Sequence, residues 1–154
     1  MDGNVTDNIL ISTEPASGEE LWRGPISNVD AAVSTARRAW AAWAARALTD
    51  RIAVMRTFSN IVKRDNEELA TLIAREAGKP LWEARSEVDA VVNKVDIAVQ
   101  AYAERTGKKK FDSGINGSAA VRHKPHGVMA VLGPYNFPAH LPNGHIVPAL
   151  IAGN

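Results

Sequence analysis

Between Pro80 and Tyr102 the apolar residues Leu81, Ala84, Val88, Val91, Val95, Ala98 and Tyr102 recur three or four positions apart. That repeat stacks side chains along one face of an α-helix. Pro80 suits the first helical position, where its missing N–H leaves no bond unmade, and Thr106-Gly107 marks the end. At 1.5 Å rise per residue the helix spans roughly 40 Å. Such a length exceeds what a small free-standing bundle requires and suits a helix lying across a larger body.

Shorter helices precede it. Ser27 followed by Asp30 has the spacing of an N-cap whose side chains satisfy free backbone N–H groups, and Val29, Ala32, Val33, Ala36, Trp40 and Trp43 continue at helical spacing. Thr49 is placed as a second N-cap, ahead of a stripe of Ile52, Met55, Phe58 and Ile61 or Val62. The pattern pauses at Arg64. Asp65 and Glu68 repeat the capping spacing, Leu69, Leu72 and Ile73 carry the next apolar face, and Gly78 can enter the left-handed region that ends a helix. A third helix over 65–77 follows. Ahead of these, residues 1–26 scatter Gly, Pro, Ser and Thr around short apolar pieces, Ile9 to Ile11 and Leu21-Trp22, which suits an extended arm with one turn at Pro15 to Gly18.

After Lys108 to Lys110 the pattern changes. Candidate strands at Phe111 and at Ser118 to His123 flank a polar loop, Asp112 to Gly117, and predict a projecting hairpin. Val128 to Leu132 is wholly apolar and bounded by Gly127 and Gly133, as expected of a strand buried on both faces of a parallel sheet. A final helix is predicted from His140 or Pro142 to Ala152, with Pro148 inside it. Helices combined with a buried strand make the fold class α/β.

Composition closes off several functions. The 18 Lys and Arg against 17 Asp and Glu leave a net charge of +1, too little to attract nucleic acid or an anionic membrane. Small-molecule partners are the default. The absence of cysteine excludes disulfides, thiolate metal sites and a thiol nucleophile within these residues. No signal peptide or bilayer-spanning segment is legible, and a cytoplasmic protein is expected.

The chemistry-bearing candidate is Asn136. It lies in Gly133-Pro134-Tyr135-Asn136-Phe137-Pro138, directly after the apolar run, where open α/β sheets place their ligands. Two prolines and a glycine hold such a loop stiffly, and a fixed amide there can donate to a developing oxyanion. The plainer alternative is an Asn that only closes a turn. His123, His126, His140 and His145 invite a metal-site reading, but the five-residue step from His140 to His145 does not align on a helix face, and neither carboxylates nor thiolates accompany them. No metal is expected. Lys108, Lys109 and Lys110, with Arg105 nearby, read as a match to a helix dipole, Gly78-Lys79-Pro80 as a helix break instead of a phosphate loop, and Trp22, Trp40, Trp43 and Trp82 as packing residues.

In order along the chain, Glu14-Pro15-Ala16-Ser17-Gly18-Glu19, Ala36-Arg37-Arg38-Ala39-Trp40, Arg51, Glu76-Ala77-Gly78-Lys79-Pro80 and the Pro-Tyr-Asn-Phe-Pro loop resemble the aldehyde dehydrogenase superfamily. The runs Lys79 to Ala84, Asn93-Lys94-Val95, Arg105-Thr106-Gly107 and Gly133 to Asn154 resemble its succinylglutamate semialdehyde dehydrogenase branch. Met1 to Thr13 match poorly. The resemblance implies an incomplete fold: an arm and helices of the NAD-binding domain over 1–110, part of an oligomerisation hairpin over 111–127, and the first strand with its Asn loop and helix over 128–154. It also implies oxidation of N-succinylglutamate 5-semialdehyde with NAD in arginine catabolism, by a cysteine that attacks the aldehyde, an oxyanion held at Asn136, and a glutamate-activated water. Leu132, Gly133, Pro134 and Tyr135 match positions beside the NAD cofactor, Tyr135 replacing the commoner Trp, and Phe137, His140 and Leu141 match positions near the aldehyde tunnel. A homo-oligomer is implied for the complete protein. The matching cysteine, glutamate and glycine-containing loop are not among these residues, so the expectation is an enzyme fragment, inactive alone, with a non-catalytic interaction module as the alternative.

Overall fold

The computed structural model describes residues 9–107, 109–112 and 117–154. Its spine is α4, Leu81–Arg105, the long helix expected from the apolar repeat. Ala84, Val88, Val91, Val95 and Ala98 are buried along it, and Glu87 shares that burial. The face is long enough to seat two cores. Towards its start, Val62 of α2 (Leu48–Arg64) and Ala70 and Ile73 of α3 (Asn66–Ala77) pack on Ala84, Val88 and Val91. Towards its end, Met55 of α2 and Val147 and Ile151 of α5 (His140–Ile151) pack on Val95 and Ala98. Each fully buried aliphatic side chain contributes about 1.5–3 kcal/mol relative to exposure.

Around this spine the remaining elements lie at the surface. Strands β1 (Ile9–Thr13) and β2 (Glu20–Pro25) pair antiparallel, and the turn between them closes through Glu14 and Glu19. The hairpin is tied to α3 by polar contacts: Arg75 reaches Glu14 at 3.0 Å and Glu19 at 2.9 Å, while the Trp22 indole donates to Glu76 at 2.6 Å. Gly78 then ends α3 at φ +65, a backbone angle that penalises any side chain, and its Cβ position already faces Pro15. Helix α1 (Val29–Ala44) buries no residue fully, and the indoles of Trp40 and Trp43 donate to the carbonyls of Gly153 and Leu150 at 3.0 Å. Strands β3 (Lys109–Asp112) and β4 (Ser118–Val121) form the second antiparallel hairpin; its expected loop falls largely outside the described residues.

Several expectations are corrected. Val128 to Leu132 forms no strand, because a strand requires a paired neighbour and the described residues offer ladders only between β1 and β2 and between β3 and β4. Val128 and Val131 are half-buried, lining a groove with Trp40, Ile146 and Leu150, while Leu132 is 96% exposed. The cap of α1 is Asn28, whose side chain accepts from the Ala31 N–H at 3.0 Å; Ser27 lies one residue too early. Ala47 precedes α2 without a side-chain cap, and Thr49 is already inside the helix. Asp65 starts α3 but turns its carboxylate to Arg64, 2.7 Å away, leaving the N–H groups uncapped by it. Arg105 lies in the last turn of α4, where the helix dipole favours it, whereas Lys109 and Lys110 belong to β3, past the helix end; Lys108 lies outside the described residues. Trp82 is 68% exposed and packs no core.

Candidate active-site turn

The residues 132–141 form one continuous path over the start of α5, so every sequence-predicted site residue lies within it. Leu132 and Tyr135 stand 96% and 91% exposed, with Gly133 and Asn136 exposed beside them. Pro134, Phe137 and His140 are half-buried, and Leu141 is exposed again at the first turn of α5. A Cβ built on Gly133 would overlap the Pro142 ring, so only glycine lets the chain cross α5 this closely. Asn136 sits in the turn between Pro134 and Pro138, and its amide makes no hydrogen bond among the described residues. It is free to donate outward.

What fixes that turn comes from another helix. Helix α5 has no side-chain cap of its own; instead Oε1 of Glu87, on α4, accepts the backbone N–H groups of Ala139 and His140, each at 2.9 Å. Those are unpaired donors of a helix start, where negative charge is favoured. Oε2 of Glu87 accepts from Nζ of Lys79 at 2.7 Å, and both side chains are buried, at 0% and 8% exposure. The Lys79 ammonium also lies 4.0 Å from the centre of the Phe137 ring, an attraction between a cation and the negative ring face. Glu83 is a more distant partner of Lys79, at 3.8 Å.

Burial pushes the Glu87 carboxyl up and is the largest single influence on it. Together, hydrogen bonds from Lys79 and from the His140 and Ala139 backbones, with the Lys79 charge, outweigh burial and leave the group below its ordinary value. Glu87 is therefore held as a carboxylate. Nδ1 of His140 is buried without a hydrogen-bond partner among the described residues.

The far end of α5 is fixed similarly. Nε of buried Arg51 donates to the Ile151 carbonyl at 3.0 Å, and the Asn154 side chain accepts from the His126 and Gly127 N–H groups while donating to the Ala149 carbonyl. Asn143, buried in mid-helix, donates to the Val91 carbonyl of α4 at 3.2 Å. Sequence reading missed Glu87 and gave Lys79 only a helix-breaking role. A signal was present: Glu87 falls three after Ala84 and four before Val91, a charged residue inside an apolar stripe.

The aldehyde dehydrogenase family model matches residues 5–154. An N-succinylglutamate 5-semialdehyde dehydrogenase from Novosphingobium aromaticivorans is 65% identical over 145 residues, covering 94% of this chain and 31% of the relative. Among solved structures, an NAD-dependent benzaldehyde dehydrogenase from Corynebacterium glutamicum superposes with a TM-score of 0.87 at 26% identity, covering 100% of this chain and 34% of its own. An NADP-dependent glyceraldehyde-3-phosphate dehydrogenase from Bacillus halodurans, in complex with NADP, gives 0.87 at 26% identity over 95% and 32%. The chain thus spans about 31% of the length of the curated relative. With nearly its whole length matched by the family model and its arrangement of helices shared with solved members, the chain belongs to the aldehyde dehydrogenase family.

Proposed function

We propose that these residues form the N-terminal part of an NAD-dependent dehydrogenase that oxidises N-succinylglutamate 5-semialdehyde to N-succinylglutamate in arginine catabolism, with Asn136 as its oxyanion donor. The observation that carries this reading is the 65% identity, over 94% of the chain, to a relative of that name. The exposed, unpaired Asn136 amide in a turn held from beneath supports the assigned role.

The residues present fit one wall of a dinucleotide site. Leu132 and Tyr135 offer exposed apolar and aromatic surface. Bound NAD supplies the acceptor for the hydride that leaves the substrate. The chain's own part is to orient and to stabilise: Asn136 donates an amide N–H where negative charge gathers on the former aldehyde oxygen, an interaction that contributes about 2.7–4 kcal/mol to lowering a barrier of this kind. Phe137, His140 and Leu141 flank the aldehyde side in this reading, with Gly133 and Pro134 completing the cofactor side. The nucleophile comes from outside these residues, since the sequence holds no cysteine. Hairpin β3–β4, exposed at Phe111 and Val121, is assigned to contact between subunits of a homo-oligomer. No helix among the described residues is long and apolar enough to cross a membrane, and we assign the protein to the cytoplasm.

A chimera tests the substrate directly. These 154 residues replace the matching segment of the Novosphingobium relative, and NADH formation is followed with N-succinylglutamate 5-semialdehyde and with other aldehydes. Turnover at the parent's rate, with the same preference among aldehydes, is expected. A chimera that folds and binds NAD but prefers a different aldehyde would overturn the substrate assignment.

A further inference from the structure

We infer that Glu87 and Lys79 act as a positioning pair for Asn136, holding the turn that carries it from beneath through Ala139, His140 and Phe137. This inference rests on the oxyanion role proposed for Asn136.

Asn136 has no hydrogen bond of its own among the described residues, so its place is set by its neighbours. The next residue, Phe137, is seated against the Lys79 ammonium at 4.0 Å. Two residues further on, the N–H groups of Ala139 and His140 end on Oε1 of Glu87 at 2.9 Å each. The ion pair at 2.7 Å joins the two anchors into one unit. Pro138 limits backbone rotation between the anchors, and Pro134 does so ahead of Asn136. Lys79 follows Gly78, which ends α3, and Glu87 lies on α4, so the unit ties the turn to the junction of two helices packed in the core.

An amide that must meet a developing charge loses effect when displaced by a fraction of its bond length, and a misplacement of about 1 Å costs roughly 10²-fold in rate. Neither Glu87 nor Lys79 is placed at the reacting atoms. Their influence has to pass through Asn136, and that sets the test.

In the chimera, kcat and KM are measured for Glu87→Gln, Lys79→Met, Asn136→Ala and the doubles that combine each with Asn136→Ala. Hydrogen exchange of the 135–141 peptide is followed in parallel. Glu87→Gln keeps an oxygen for the two N–H groups but loses the charge that holds Lys79. Each single variant of the pair is expected to lower kcat about 10- to 100-fold with little change in the KM for NAD, and to speed exchange at Ala139 and His140. In the Asn136→Ala background the same substitutions should lower kcat by less than threefold, because the group they position is gone. Multiplicative effects in the doubles would overturn the positioning role while leaving Asn136 its own. An Asn136→Ala variant with unchanged kcat would instead overturn the oxyanion reading on which the inference stands. Should Lys79→Met fail to fold, the Glu87→Gln cycle decides alone.

Discussion

Glu87 shows how much a single side chain organises here. It takes two free N–H groups of α5 and the Lys79 ammonium on one buried carboxylate, and removing one partner of such a buried pair costs about 3–5 kcal/mol, because the other charge is left without compensation. Its pKa is lowered on folding. A lowered carboxylate contributes stability that is present above the unfolded value, near 4.3, and is lost as pH falls through the lower folded value. The chimera should therefore be more resistant to denaturant than its Glu87→Gln form at neutral pH, and the gap should shrink below about pH 4.3. A gap that stays constant from pH 7 to pH 3 would contradict the charged state assigned to Glu87. The sequence held this residue in plain view within the apolar stripe of α4, yet spacing cannot say whether a charge on a buried face finds a partner. Lys79 and the turn at Ala139 are eight and 52 positions away from Glu87, and only the folded chain brings them together. Arg51 hides in the same way: it lies four before Met55 on the buried face of α2, and its partner carbonyl belongs to Ile151.

Among the elements, those with a strong internal period were legible, as was the pairing of β3 with β4, whereas the fate of the apolar run at 128–132 was not. The helices α1, α2, α3 and α4 emerged from apolar spacing, α5 was read as a short closing helix, and Gly78 emerged from its ability to reach φ +65. Caps were read less well, because Ser27, Asn28, Thr49 and Asp65 all have suitable side chains and only local geometry decides which one bonds. The run at Val128 to Leu132 has the composition of a buried strand but lacks a paired strand among the described residues. Its junction with α5 is tight. A Cβ at Gly133 would overlap the Pro142 ring, so Gly133→Ala should shift the chain ahead of Asn136, destabilise by about 1–3 kcal/mol and reduce kcat in the chimera. Denaturation midpoint and kcat unchanged from the parent would show that Pro142 yields without moving the turn.

The whole molecule is a family member that spans about a third of its relatives' length, and it carries exposed apolar surface. Leu132, Tyr135, Trp82 and Val29 are exposed at 96%, 91%, 68% and 72%, and the groove between α1 and α5 is lined by Trp40, Trp43, Val128 and Leu150. Apolar patches of this kind attract partners or promote association. The 154-residue chain by itself is expected to bind an apolar dye, to associate in solution and to form no NADH from aldehyde; a sharp monomeric melt with no dye binding would contradict the first two expectations, and turnover by the pure chain the third. Charge and composition set broad limits from the outset, whereas the substrate rests on resemblance and relatives. The central claim is that Asn136, presented by a turn seated on Glu87 and Lys79, stabilises the oxyanion. The most direct measurement is kcat for Asn136→Ala in the active chimera: a fall of about 10²–10³-fold with NAD affinity little changed is predicted, and an unchanged kcat would contradict it.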